Sequence, residues 1–240
     1  MGQHQTAIGL NSLKKVDWSG KRVLDIGCGD GKLSLEVIKR TKARELIGID
    51  ADKSEIDKAK LIKDTRASFY VSDASNLPFE DESFDAIFCN IAFQQFKEKE
   101  KALQEMYRVL KNKGEVIINF IEEKSEVLQA MTKILKGSFN IDINKKSSKI
   151  YWQEFEELAK KAGFKIKKSV SKEDTYFFKD VDLFFWGYKQ TIDSKTDKFL
   201  SKEEKARFIG LLTEHFMDKK TEEGIPDTWH IVNAALIKMA

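Results

Sequence analysis

Three observations predict an α/β fold whose parallel sheet is covered on both faces. Short continuous apolar runs alternate with helical patterns through the first half of the chain; a glycine-rich turn joins the first apolar run to the first helix; and 240 residues with 41% hydrophobic content suffice for one large domain carrying an insertion. RVLDIG at 22–27 reads as the first strand and KLSLEVIKR at 32–40 as the helix after it. ELIGID at 45–50, the helix SEIDKAKLIK at 54–63 and ASFYVSD at 67–73 repeat the unit. After the turn NLPFEDES come FDAIFCN at 84–90, the helix EKALQEMYRVLK at 100–111 and, past Gly114, EVIINF at 115–120. Leu103, Met106, Tyr107 and Leu110 recur at helical spacing and give that last helix one core face.

The second half is less regular. EVLQAMTKILKG and WQEFEELAKKAGF read as helices joined by the polar loop NIDINKKSSK, and FKIKKSV at 164–170 as a strand. From about Tyr176 to Glu223 the pattern is helical and aromatic, before TWHIVNAALIKM at 228–239 returns to a strand pattern. The organisation expected is a mobile N-terminal arm or lid at 1–19, an α/β core at 20–176, a helical cap inserted at 177–223 and a final core strand at 224–240.

Composition excludes several classes. Lys and Arg number 42 against 39 Asp and Glu and are intermixed along the chain, which argues against a nucleic-acid partner. The two cysteines, Cys28 and Cys89, provide neither a disulfide framework nor a CxxC metal site, so no metal is expected. No apolar run is long enough to span a bilayer, and a cytoplasmic location is expected.

In VLDIGCGDGKLS, residues 23–34, glycines 27, 29 and 31 alternate, and Lys32 stands where a dinucleotide fingerprint requires its third glycine. Alone, such a turn is either a ligand cradle or a tight structural turn. Asp25 on the first strand, Asp50 ending the second and Asp73 ending the third bring three carboxylates to the C-terminal edge of one sheet, where open α/β folds bind ligands. A carboxylate beside Gly27 repels a pyrophosphate and attracts an amino group.

DIGCGDG at 25–31, IGIDAD at 47–52, DASNLPFEDESFD at 73–85 and EMYRVLKNKGEVII at 105–118 together resemble the successive motifs of class I S-adenosylmethionine-dependent methyltransferases. The resemblance covers roughly the first half of the chain. It implies a Rossmann-like seven-stranded sheet with an antiparallel last strand, and a glycine turn lying against the methionine part of S-adenosylmethionine. By the same resemblance, Asp25 holds the methionine ammonium, with Gly27 and Gly29 giving close backbone approach. Asp50 accepts from the ribose hydroxyls, Asp73 binds the adenine amino group, and the Ala74 N–H meets a ring nitrogen. Cys28 and Ala51 fall within the cofactor-contacting stretches, the Cys28 side chain packing as a small apolar residue, and Cys89 and Asn90 border the reactive methyl.

NIAFQQF at 90–96 is similar to the corresponding segment of small-molecule carboxyl methyltransferases of the trans-aconitate, malonyl carrier-protein and juvenile-hormone-acid kinds. Those carry His or Gln followed by Trp; Gln94 matches the first and Gln95 departs from the second. Their N-terminal glutamine is matched by Gln5 or Gln3, and their cap by 177–223, where Phe184, Phe185, Trp186 and Tyr188 either line an apolar acceptor pocket or glue the cap to the sheet, with Trp186 and Tyr188 the candidate acceptor contacts. A small-molecule acceptor methylated on oxygen, with a carboxylate slightly preferred, follows as the expectation; a carboxylate needs no general base. His4 in the arm, His215 on the cap and His230 at the start of the final strand are expected to be structural. Protein or RNA methylation, or non-catalytic cofactor sensing, are the alternatives.

Overall fold

A computed structural model describes residues 2–122, 126–143 and 150–239. The chain divides into two compact units: a larger one of Gln5–Glu122, Ile150–Ser171 and Ile231–Ala240, and a smaller one of Met1–His4, Glu123–Lys149 and Lys172–His230.

The strands are β1 (Arg22–Ile26), β2 (Glu45–Asp50), β3 (Ala67–Val71), β4 (Phe84–Asn90), β5 (Leu110–Ile121), β6 (Phe164–Phe178) and β7 (Ile225–Lys238). They form one seven-stranded sheet of order β3-β2-β1-β4-β5-β7-β6. β3, β2, β1, β4 and β5 pair in parallel, as the alternation of strands and helices predicts, and β7 runs antiparallel to β5, as the family resemblance implies. The helices are α1 (Gly2–Ser12), α2 (Lys32–Thr41), α3 (Lys53–Ala59), α4 (Lys99–Val109), α5 (Glu126–Phe139), α6 (Trp152–Lys161), α7 (Val181–Thr196) and α8 (Lys202–Met217).

Strand alternation divides the core of the larger unit. Val23 and Leu46 pack with Val37 and Ile38 of α2 and with Trp18 on one face. Leu24, Ile26, Ile47 and Ile87 pack with Leu103 and Met106 of α4 and Phe155 of α6 on the other. Both faces of β1 and β4 are therefore dry, which is why these strands read as unbroken apolar runs. The Lys238 ammonium, also buried, donates to the carbonyls of Tyr107 and Leu110 and so closes the C-terminal end of α4.

Several expected boundaries shift. The segment expected as a mobile arm contains α1, whose Ile8 is buried. α3 stops at Ala59 instead of continuing to Lys63, leaving Leu61 79% exposed. β5 starts at Leu110 because a bulge, with pairs Phe84↔Leu110 and then Ala86↔Glu115, absorbs the polar residues that mask it as a strand. β6 runs on to Phe178, so the insertion becomes helical at Val181 rather than 177, and β7 begins at Ile225, placing His230 within the strand instead of at its start. β6 is a sheet edge with Lys165, Lys167, Lys168 and Lys172 along it, a charged pattern that protects an edge and hides the strand's length. The expected loop at 140–149 is described only to Ile143; the rest lies outside the described residues.

In the smaller unit, Phe184 and Tyr188 of α7, Phe208, Leu212 and Phe216 of α8, and Val127 and Met131 of α5 make one apolar cluster. Phe184 and Phe216 lie 4.7 Å apart, so these rings build that unit's own core. α8 opens with a capping box: Ser201 Oγ accepts from the Glu204 N–H at 3.2 Å and the Glu204 carboxylate accepts from the Ser201 N–H at 2.8 Å. Ser201→Ala is expected to destabilise the protein by about 1 kcal/mol, read as a lowered denaturant midpoint. An unchanged midpoint would show that α8 does not depend on this cap. No helix among the described residues is long and apolar enough to cross a membrane.

Candidate functional site

The strand order reverses direction at β1: the chain moves outward to β2 and β3, then returns to β4 on the other side of β1. Such a switch point leaves a crevice at the carboxyl ends of the two strands. Asp25 of β1 and Asn90 of β4 stand at that edge, and Asp50 ends the neighbouring β2.

Leaving β1, the chain turns sharply. The N–H groups of Gly27 and Cys28 both donate to the Ile49 carbonyl, at 2.8 and 3.0 Å, which fastens the turn to β2. Gly27 has φ +76°, and a Cβ there would stand 2.3 Å from the Ala92 Cβ, so only glycine lets the turn meet the segment after β4. Gly29 differs: a Cβ there would meet nothing within 4 Å, so its surface is open.

Asp50 organises this turn. Its Oδ2 accepts from the Gly29 N–H at 3.0 Å and its Oδ1 from the Asp52 N–H at 2.9 Å. Asp25 is buried and accepts from the Ser34 hydroxyl at 2.6 Å. Burial pushes the Asp25 carboxyl up to about 7, opposed by the Ser34 hydrogen bond and reinforced by the negative charge of Asp50. Asp73 is exposed, and its Oδ1 accepts from both the N–H and the hydroxyl of Ser75, which hold it below the usual carboxylate range. Ala74 beside it is buried, whereas Ala51 is exposed.

The cysteines are inert by position. Cys28 packs with Ile56 and Phe69, and Cys89 lies fully buried in the main core, so its backbone, not its thiol, lies at the edge. Burial pushes both thiols up.

Asn90 heads a polar network. Its Nδ2 donates to the Gln5 carbonyl at 2.9 Å, and its Oδ1 accepts from Asn119 Nδ2 at 2.9 Å. Asn119, fully buried on β5, also donates to Ser12 Oγ at 3.0 Å, which in turn donates to the Gly9 carbonyl at 2.7 Å. α1 is thus tied through Gln5 and Ser12 to the carboxyl edge of the sheet. Gln5 takes part through its backbone.

Past Asn90, Ile91 has φ +55°, in the left-handed region that a β-branched residue rarely enters. Its N–H donates to the Asn119 carbonyl at 2.8 Å, and its own carbonyl accepts from Gln94 Nε2 at 3.1 Å and Gln95 Nε2 at 3.5 Å. Gln94 Oε1 is buried without a hydrogen-bond partner among the described residues. Gln95 is exposed.

Tyr188 belongs to the smaller unit, where it is buried and its hydroxyl donates to Asp227, a buried carboxylate that also accepts from Trp229 Nε1. Burial pushes Asp227 up to about 6. Trp186 lies on α7, its side chain outside the described residues. Gln3 and His4 are on α1, with side chains likewise outside them. Sequence reasoning missed Ser34, Asn119, Ser12, the strained Ile91 and Asp227; of these, Asn119 left a signal, as a lone amide inside the apolar run EVIINF.

Comparison with known proteins agrees with this geometry. A demethylmenaquinone methyltransferase of Thermotoga maritima is 37% identical over 99 residues, which make up 41% of this chain and 42% of that protein. The match therefore spans less than half the length of the curated relative. Among solved structures, the YcgJ protein of Bacillus subtilis superposes with a TM-score of 0.63 at 19% identity, over 99% of both chains. A phosphoethanolamine N-methyltransferase of Haemonchus contortus, in complex with S-adenosyl-L-methionine, superposes with a TM-score of 0.61 at 20% identity, over 99% of this chain and 53% of that one. At these identities the likeness is one of fold. Residues 17–163, more than half of the chain, match the family model described as Methyltransferase domain, and the chain belongs to that family of S-adenosylmethionine-dependent methyltransferases.

Proposed function

We propose that this protein binds S-adenosylmethionine at the β1–β4 switch point and methylates a small-molecule acceptor in the cytoplasm, with oxygen chemistry favoured. The observation that carries the reading is the pair of carboxylates, Asp25 and Asp50, flanking a glycine turn whose Gly29 faces open space. This donor set suits a ligand with an ammonium group and neighbouring hydroxyls: carboxylates accept hydrogen bonds and attract a cation, whereas they repel phosphate.

In this reading Asp25 holds the methionine ammonium and Asp50 the ribose hydroxyls. Asp73 binds the adenine amino group, and the backbone at Gly27, Cys28, Gly29, Ala51 and Ala74 lines the remainder. Bound there, S-adenosylmethionine supplies a methyl group on a positively charged sulfur, which leaves as the neutral thioether when an acceptor lone pair takes the methyl carbon. The residues at the carboxyl end of β4 then act by positioning, Asn90 and Gln94 orienting the acceptor in a water-poor site. Gln5 and Gln95 complete the acceptor-side assignments of this proposal. The even mixture of charges supports a small acceptor over a nucleic acid. The demethylmenaquinone named for the Thermotoga relative is a small molecule, which supports that acceptor class, while a relative from Citrifermentans bemidjiense is named a ubiquinone/menaquinone biosynthesis C-methyltransferase and favours carbon as the atom methylated there.

The test is transfer of radiolabelled methyl from S-adenosylmethionine into an extract of the source cells, separated into small-molecule and macromolecular fractions. Label in the small-molecule fraction is the expected result. Label confined to protein or RNA overturns it.

A further inference from the structure

The side-chain amide of Gln94 has a fixed sense. The atom 3.1 Å from the Ile91 carbonyl is the nitrogen, because a carbonyl oxygen only accepts, and this leaves the amide oxygen as the buried atom without a partner among the described residues. A buried acceptor with no donor is unfavourable, and a site shaped around such an atom favours a ligand that donates to it.

Three features hold the segment that carries Gln94 in place. Ile91 keeps its left-handed φ of +55° because its N–H is fastened to the Asn119 carbonyl at 2.8 Å. Ala92 is pressed against the Cβ-less face of Gly27. Phe93, on the same short turn as Gln94, is fully buried, 5.2 Å from the Phe155 ring. Backbone strain held by its surroundings in this way is a mark of functional segments. The segment lies directly after β4, at the switch point.

We infer that the acceptor donates a hydrogen bond to Gln94 Oε1 from a neutral hydroxyl or amino group, and that carboxylates are rejected as acceptors. The inference rests on the small-molecule methyltransferase reading above and narrows its substrate class. A carboxylate has only acceptor oxygens, so placing one at Oε1 sets lone pairs against lone pairs. One of the two N–H bonds of the amide nitrogen already serves the Ile91 carbonyl. Sites built around a required donor discriminate strongly against ligands lacking it, since the buried group is then left unpaired.

The test uses the full chain with radiolabelled S-adenosylmethionine and small-molecule extract of the source cells, half of it first treated with acetic anhydride to cap hydroxyl and amino groups. The expected result is a base-stable labelled product whose formation acetylation abolishes; mild alkali, which cleaves acetate esters but leaves acetamides, restores a hydroxyl acceptor and not an amine. Gln94→Met is expected to raise the acceptor KM about tenfold while S-adenosylhomocysteine affinity, a check on the fold, stays unchanged. A base-labile methyl ester, acetylation-insensitive labelling or an unchanged KM overturns the inference and leaves the proposed function standing. Absence of label from the small-molecule fraction overturns both.

Discussion

Replacing Asp50 by alanine is expected to weaken S-adenosylhomocysteine binding at least about 100-fold, with the fold retained. The expectation rests on where this carboxylate sits. β2 is held by Leu46, Ile47 and Ile49, all buried, so the strand does not need its last side chain to pack. The carboxylate instead holds the Gly29 N–H at 3.0 Å and the Asp52 N–H at 2.9 Å, which shapes the turn and aims the acid at the same time. Loss of two charge-assisted hydrogen bonds to ribose hydroxyls is worth on the order of 3 kcal/mol. Relaxation of the turn adds a modest loss of stability, about 1 kcal/mol. Asp50→Asn separates the two effects, because its amide oxygen can still accept from one N–H of the turn but lacks the charge. Calorimetric titration of folded protein is the measurement; wild-type affinity in Asp50→Ala would falsify the ribose assignment.

Much of the larger unit was legible in sequence because its strands are buried on both faces. β1, β2 and β4 have no solvent-facing side to interrupt their apolar runs, and the ends of β2 and β4 coincide with Asp50 and Asn90. Where a strand reaches an edge or a bulge, the pattern fails. β6 carries charged residues along an exposed edge, and the start of β5 is masked by the polar stretch that the bulge accommodates. α3 is shorter than its pattern for the opposite reason: Leu61 and Ile62 continue the apolar periodicity after the helix has ended.

At the site, the strand-end acids were readable because a strand end is a local property. Their partners were not. Ser34 of α2 meets Asp25 of β1 across the glycine turn, and Ser12 meets Asn119 across 107 positions, pairings that follow from topology and leave no periodic trace. The sense of the Gln94 amide depends on the Ile91 carbonyl, whose direction is set by a left-handed φ that no side-chain pattern encodes.

Cofactor affinity is expected to fall as the medium is acidified through about pH 7, by about tenfold per pH unit. Asp25 is the cause: burial pushes its carboxyl up to about 7, so below that pH the free protein carries it protonated. An ammonium group requires the ionised form, so binding near pH 6 must expel a proton, whereas binding near pH 8 need not. The stability of the free protein responds in the opposite sense. A carboxyl raised from 3.8 to about 7 contributes stability that is fully present below 3.8 and is lost as pH rises through 7. Asp227, raised from 3.8 to about 6, behaves alike through its own window. Acidification from pH 8 towards pH 5 therefore strengthens these two contributions to the free protein while weakening its hold on S-adenosylhomocysteine. The ligand-induced rise in melting temperature should shrink accordingly. Calorimetry in buffers of different ionisation enthalpy measures the proton directly: release of close to one proton near pH 6, declining towards zero by about pH 8, assigns the ammonium to Asp25. Affinity independent of pH across that range would mean that Asp25 is not the group that faces the charge, and the methionine end of the ligand would have to be placed elsewhere on the sheet edge.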